Sequence, residues 1–155
     1  MNSIFRKVVL TFVAALLLIV LATEIVLTAQ EQRPPLPNPV VYMTGVEFYE
    51  TGGKQWKRYR YAVDNASMYP DALFAAAPDL PPCGNNTKSS RTWVDIYQQD
   101  GKRLNGFCAF GKTTDLNSIW FALGPDEIPP SWIYIELNDR KTGTKYKSNL
   151  VDTKE

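Results

Sequence analysis

Two cysteines, Cys83 and Cys108, carry the clearest chemical prediction in this chain. The loop that they would close is about 25 residues long, and the chain-entropy model assigns such a closure about 3 kcal/mol. Outside the cytoplasm, an even pair of cysteines in a small domain forms a disulfide more often than it stays reduced. The sequence therefore predicts a Cys83–Cys108 disulfide, with two buried thiols as the alternative.

Histidine is absent from the sequence, and this excludes several classes of active site. Ser-His and Cys-His nucleophilic pairs, histidine general bases and histidine-ligated zinc or copper all need that residue. Carboxylate pairs of the glycosidase type remain available, but nothing in the spacing of the acidic residues selects one pair. We therefore predict that the protein is not an enzyme and uses no catalytic residue, cofactor or metal.

Aromatic side chains provide the candidate binding residues. The chain has four tryptophans, Trp56, Trp93, Trp120 and Trp132. We identify Trp93, Tyr97 and Trp120 as possible ligand-binding residues, because sheet positions offset from Val94 and Ile96 could bring their rings together. Such a platform would stack against sugars. The alternative is that these rings fill the core or cover its rim, as aromatics at alternating strand positions commonly do.

Basic side chains form two clusters. One contains Lys54, Lys57, Arg58 and Arg60, and the other contains Lys141, Lys145 and Lys147. Either cluster could meet anionic lipid headgroups or acidic glycans, or could form a solvated strand face. Apart from Arg6, Lys7 and Glu24, the chain has equal numbers of acidic and basic residues, which argues against a nucleic-acid partner.

Residues 1–29 have the pattern of a membrane-targeting segment. Arg6 and Lys7 precede an apolar run from Val8 to Leu21. The segment could be a signal peptide cleaved after Ala22 or Ala29, although neither position offers a clean A-x-A site. It could instead be a transmembrane anchor, since residues 8–29 would span roughly 30 Å as a helix. The weak cleavage sites favour the anchor, and both alternatives place the remaining chain outside the cytoplasm, either membrane-anchored or secreted and periplasmic.

The remaining sequence predicts a Pro-rich linker at residues 30–39 and one β domain at residues 40–155. Period-2 alternation predicts about seven short strands, at residues 40–49, 55–63, 92–97, 104–110, 118–123, 132–137 and 144–150. In the fourth of these, Leu104, Gly106, Cys108 and Phe110 should share one face. The predicted fold class is an all-β antiparallel sandwich of about seven strands, preceded by one N-terminal hydrophobic helix.

The final hairpin adds a family resemblance. Ile133-Tyr134-Ile135-Glu136-Leu137, a polar turn, and then Lys145 to Val151 resemble the closing hairpin of fibronectin type III and immunoglobulin-like domains. The segments at residues 80–84, 90–94, 106–108 and 119–122 are also similar to those of small uncharacterised exported bacterial proteins. The first resemblance implies an immunoglobulin-like or fibronectin-like sandwich, and the second implies no activity.

These observations predict an exported or membrane-anchored, non-enzymatic interaction module. Its partner would be a protein or a component of the cell envelope, because such sandwiches commonly present their surfaces to other molecules. The alternative is a carbohydrate-binding module that uses exposed tryptophans. Fold alone does not decide between these functions.

Overall fold

The computed structural model describes residues 35–83 and 89–154. Within them, eight strands alternate with turns and three short 3-10 segments. The strands are β1 (Val41–Thr51), β2 (Lys54–Val63), β3 (Thr92–Gln98), β4 (Arg103–Phe107), β5 (Ile119–Leu123), β6 (Trp132–Asp139), β7 (Lys145–Lys147) and β8 (Val151–Asp152). The 3-10 segments are Ala66–Met68, Asp71–Leu73 and Thr113–Asn117.

The strands form two antiparallel sheets. The three-stranded sheet has the order β1-β2-β5, and the five-stranded sheet has the order β4-β3-β6-β7, with β8 also paired to β6. The connection from β4 to β5 crosses from one sheet to the other. Constant-type immunoglobulin sandwiches place their first, second, fourth and fifth strands in one sheet and their third, sixth and seventh in the other. This chain follows the same division except that β4 lies beside β3, at the edge of the other sheet. The predicted all-β immunoglobulin-like sandwich is therefore confirmed, with eight strands in the described residues.

Alternation along the strands builds the core. In β6, Ile133, Ile135 and Leu137 are fully buried and alternate with half-exposed or exposed side chains. In the opposite sheet, Tyr59 and Tyr61 stack on Phe121 with ring centroids 4.9 and 5.9 Å apart. In both sheets, every second side chain along a strand points inward, and these side chains form the apolar layer that holds the sandwich together.

Two asparagine side chains join the sheets at opposite edges. Asn149 Oδ1 accepts the N–H of Val41 at 2.8 Å, and its Nδ2 donates to the carbonyl of the same residue at 3.0 Å. Asn105 Nδ2 donates to the carbonyl of Trp120 at 2.7 Å. The first pair links β1 to the segment before β8, and the second links β4 to β5. Each amide therefore replaces backbone hydrogen bonds where no strand pairing joins the sheets.

One strand-level prediction is wrong. Leu104, Gly106, Cys108 and Phe110 do not share one strand face, because β4 ends at Phe107 and its register with β3 shifts between the Ile96–Asn105 and Tyr97–Arg103 pairs. The extra residue reverses the alternation, so that Gly106 lies opposite the outward-facing Asp95.

The predicted N-terminal helix and the assignment of residues 1–29 lie outside the described residues. Among residues 35–83 and 89–154, no helix has the length and apolar character needed to cross a membrane. The described end of the Pro-rich segment contacts the domain. Leu36 packs against the core, and Tyr69 Oη donates to the carbonyl of Pro37 at 2.6 Å. The residues from Leu36 onward thus belong to one unit with the sandwich.

Candidate functional site

The structure places two of the three predicted binding residues on the same face of one sheet and the third on the other sheet. Trp93 and Tyr97 both point outward from β3 on the five-stranded sheet. Trp120 points outward from β5, opposite Arg60 of β2, on the other sheet. Because the outer faces of a sandwich point away from each other, the three rings cannot form one platform. The expectation that they would meet is corrected on this point, and only Trp93 and Tyr97 remain a candidate pair.

A third ring joins this pair. Tyr134 of β6 lies directly opposite Tyr97, and the two rings stack with centroids 5.3 Å apart. We call the outer surface formed by Trp93, Tyr97 and Tyr134 the aromatic face. Burial is the largest cause that raises the pKa of Tyr97, followed by the carboxylates of Asp95 and Glu136. The phenol of Tyr97 therefore stays protonated at neutral pH and can donate a hydrogen bond.

Cations cover part of the aromatic face. The guanidinium carbon of Arg140 lies 4.1 Å from the ring centroid of Trp93, and Lys147 Nζ lies 3.9 Å from that of Tyr134. No carboxylate of the described residues lies within 4 Å of either cation. These contacts hold the cations against the rings by cation–π attraction. The aromatic face therefore carries unpaired positive charge.

Charged residues form a neutralised row between the aromatic rings. Asp95 and Glu136 are directly opposite each other on β3 and β6, an arrangement that would repel. Arg103 Nε donates to Asp95 at 2.7 Å, and Lys145 Nζ donates to Glu136 at 2.8 Å. The second hydrogen bond raises the pKa of Lys145. The row thus runs from cation to cation across four strands, with the two carboxylates between them.

Gly106 makes room for this row. An added Cβ at Gly106 would lie 2.8 Å from Cζ of Arg103 and would also collide with the carboxylate of Asp95. Only a residue without a side chain lets the guanidinium cross β4 to reach Asp95. The register shift in β4 is what places Gly106 opposite Asp95.

A buried carboxylate fixes the turn that presents Arg140. Asp139 ends β6 and is 2% exposed. Arg91 donates to it twice, from Nε at 2.9 Å and from Nη2 at 2.5 Å. The N–H of Lys141 and the hydroxyl of Thr142 also donate to this carboxylate. Burial alone would raise the pKa of Asp139, but these donors outweigh it and lower the pKa to about 2. Arg140 N–H in turn donates to the carbonyl of Arg91 at 2.9 Å.

Trp120 belongs to a different arrangement on the three-stranded sheet. The guanidinium of Arg58 lies between two rings, 4.7 Å from Trp120 and 4.6 Å from Tyr49. Glu47 accepts from Arg58 at 2.6 Å and from Arg60 at 2.8 Å. The hydrogen bond to Arg60 is the largest cause that lowers the pKa of Glu47. Glu47 binds both guanidiniums and neutralises one of their two charges, so we assign this cluster a role in sheet stability.

The predicted disulfide is confirmed. Cys83 is bonded to Cys108, with Cα atoms 5.7 Å apart. The bond ties the loop before β3 to the chain just after β4. A disulfide in an immunoglobulin-like domain indicates a location outside the cytoplasm, as predicted. Sequence reasoning missed Tyr134 and Arg140 as site residues, although the alternation in β6 does place Tyr134 on the outer face.

The comparisons with known proteins add little to this description. Neither the family models nor the curated proteins give a match to the chain. Among solved structures, the human pre-T cell receptor crystal structure aligns with 75% of this chain and 99% of that one, at 13% identity and a TM-score of 0.40. A similarity this weak adds nothing to the strand order given above. The class of the protein, an all-β immunoglobulin-like sandwich, rests on its own strand pairing, and the resemblance to exported bacterial proteins gains no support.

Proposed function

We propose that this protein is a non-enzymatic interaction module that binds another protein through the aromatic face. The observation that carries the proposal is the grouping of Trp93, Tyr97 and Tyr134 on one outer surface beside the unpaired cations Arg140 and Lys147. Tryptophan, tyrosine and arginine are the residue types that dominate binding energy at protein interfaces. Within the described residues no cluster of side chains suited to a metal occurs.

Ring coverage favours a protein partner over a sugar. A sugar ring stacks on an open aromatic face, whereas Arg140 lies over the ring of Trp93 and Tyr134 lies against Tyr97. Protein partners can instead contact ring edges, the stacked cations and the phenol hydroxyls. The carbohydrate-binding alternative also loses Trp120, which lies on the other sheet.

The proposed setting is outside the cytoplasm, with the module held at a membrane by residues 8–29. The Cys83–Cys108 disulfide supports the compartment. The apolar run and the weak cleavage sites of the N-terminal segment support the anchor. The intact mass of the protein in the membrane fraction tests this part. A soluble product shortened by about 22 or 29 residues would contradict the anchor and indicate a cleaved signal peptide.

Site-specific photo-crosslinking tests the proposed face. Tyr97 is replaced by p-benzoylphenylalanine in the full-length chain, and Tyr49 on the other sheet is replaced likewise as the matched control. We expect a covalent protein adduct from position 97 that is absent at position 49. Trp93→Ala should weaken that adduct about tenfold, and thermal melting confirms that the variant folds. Adducts from position 49 alone would contradict the proposal. Binding to a neutral glycan that Trp93→Ala removes would establish the carbohydrate alternative instead.

A further inference from the structure

A second surface lies at the end of the sandwich where the β1–β2 hairpin meets the β5–β6 loop. A groove of about 240 Å³ opens there between the inner faces of the two strands and the loop. Its walls include Phe48, Trp56, Lys57, Tyr59, Pro125 and Pro129. Tyr59 is a member of the hydrophobic core, so the groove is the mouth of that core. An apolar side chain entering it would extend the core packing.

Two large apolar side chains are exposed at this end. Phe48 is 60% exposed, and Ile128, at the apex of the loop, is 91% exposed. Phe48 lines the groove beside Trp56, Pro125 and Pro129, and apolar side chains grouped at a groove in this way mark interaction sites. The end also lies at the far side of β1 from Val41, where the chain enters the domain. A partner can therefore reach the groove without contacting the start of β1.

One cation lies within the aromatic walls. Lys57 Nζ is 5.4 Å from the ring centroid of Phe48 and 5.2 Å from that of Tyr59. No carboxylate of residues 35–83 or 89–154 lies within 4 Å of it. Glu127 also lines the groove, but its Oε2 accepts the N–H of Gly124 at 2.6 Å and closes the loop. The groove thus combines aromatic and proline walls with one cation that has no carboxylate partner and one carboxylate that is already bound to the loop backbone.

The volume of the groove limits what it can hold. Sites for whole small molecules usually measure about 300–1,000 Å³. A space of about 240 Å³ suits one or two side chains instead. We propose that the groove docks an acidic segment of a partner protein, which inserts an apolar side chain against Phe48 and places a neighbouring carboxylate on Lys57. This site is separate from the aromatic face and does not depend on the function proposed for it.

Two matched peptides test the proposal. The full-length chain, isotope-labelled and held in a mild non-ionic detergent, is titrated with acetyl-Gly-Asp-Phe-Asp-Gly-amide and with the isosteric neutral peptide that carries Asn at both Asp positions. We expect saturable NMR shifts at Phe48, Lys57 and Leu123, with the acidic peptide binding at least about fivefold more tightly. Equal binding of both peptides, or shifts confined to other surfaces, would overturn the proposal.

Three variants sharpen the test. Lys57→Met keeps the aliphatic stem and should remove the preference for the acidic peptide, whereas Phe48→Ala should weaken both peptides. Lys54 lies at the exposed start of β2, and Lys54→Met should change the affinity for neither peptide. If Lys54→Met had the same effect as Lys57→Met, the preference for the acidic peptide would come from general surface charge, and the proposal would be overturned. Thermal melting confirms that each variant folds. Self-association or binding to anionic vesicles that Phe48→Ala abolishes would overturn the proposal in favour of a second copy or a lipid surface.

Discussion

Replacing Asp139 by asparagine should destabilise the domain in a strongly pH-dependent way. All four groups that contact this carboxylate are donors: two from Arg91, the N–H of Lys141 and the hydroxyl of Thr142. Asparagine replaces one of the two carboxylate oxygens by an NH2 group, which is a donor. Each oxygen of Asp139 accepts from Arg91, so this NH2 group must face a donor of Arg91 in either orientation. The hydroxyl of Thr142 can rotate to accept, but the guanidinium of Arg91 cannot.

The pKa of Asp139 gives the magnitude. Burial opposes ionisation, but the hydrogen bonds from Arg91, Thr142 and Lys141 hold the pKa at about 2 in the folded protein, below the ordinary 3.8. A difference of almost two pKa units corresponds to about 2 kcal/mol of stability. Because the folded pKa is depressed, this contribution is present above about pH 4 and is lost as the pH falls towards 2. Asparagine does not titrate, so the variant should lack this dependence.

Urea unfolding of residues 36–155, followed by tryptophan fluorescence with the disulfide intact, measures the effect. At pH 7 we expect Asp139→Asn to lower the free energy of unfolding by about 2–3 kcal/mol. By pH 2 the difference should shrink to below about 1 kcal/mol. The matched control is Asp79→Asn. The side chain of Asp79 is 71% exposed, and its ion pair with Lys141 is long, at 3.5 Å, so this carboxylate contributes little to stability. This variant should stay within about 0.5 kcal/mol of the parent protein at every pH.

Two results would refute this reasoning. The first is a constant difference between parent and Asp139→Asn from pH 7 to pH 2, since the carboxylate would then not titrate in the range given by its pKa. The second is an equal loss in Asp79→Asn, since the effect would then be general surface charge and not the buried contact with Arg91.

Three further substitutions probe the architecture. Gly106→Ala should cost about 1–3 kcal/mol, because its Cβ displaces Arg103 and leaves the nearly buried Asp95 without that partner; an unchanged urea midpoint would contradict this. Asn149→Ala should cost about 1–2 kcal/mol and speed hydrogen exchange at Val41, since both bonds to that residue are lost; unchanged exchange would argue against the edge contact. Tyr61→Phe should be neutral or stabilising by up to about 1 kcal/mol, because Tyr61 Oη is buried without a partner among the described residues; a clear loss of stability would show that the hydroxyl is satisfied in solution.

Local patterns in the sequence were sufficient to predict the positions of seven of the eight strands, although not the end of β4. Alternation in Ile133–Leu137 places every second side chain in the core, and each of the seven predicted strands overlaps one of β1 to β7. The disulfide was predictable for a different reason, because only one pairing of two cysteines exists. Each of these inferences needs only the identity of neighbouring residues or the number of cysteines.

The composition of the site was not predictable, because it depends on which sheet each strand joins. Period-2 alternation places Trp120 outward but gives no information about the crossover that puts β5 beside β2. Arg140 lies in a turn, and its contact with Trp93 follows from the turn that Asp139 holds. A register shift of one residue in β4 likewise decides whether Gly106 or its neighbour faces Asp95. These are long-range features with no local signal.

Side-chain hydrogen bonds occupy backbone groups at two points along the free edges of the three-stranded sheet. Adding a strand requires a row of free backbone N–H and C=O groups along a sheet edge. Asn149 occupies both groups of Val41 at the start of β1, and the register shift after Met43 interrupts the row beyond it. At the other edge, Asn105 occupies the carbonyl of Trp120. Strand addition is disfavoured at these two points, which agrees with our proposal that partners bind through the aromatic face and the groove.

The two surfaces should act independently, because they lie on different parts of the sandwich and share no residue. Binding energies at separate sites without shared partners are additive to within about 0.5 kcal/mol. Trp93→Ala should therefore leave the affinity for the acidic peptide unchanged, and Phe48→Ala should leave the crosslink from position 97 unchanged. The double variant should lose both. Loss of peptide binding in Trp93→Ala would contradict the separation and would place both activities on one continuous surface.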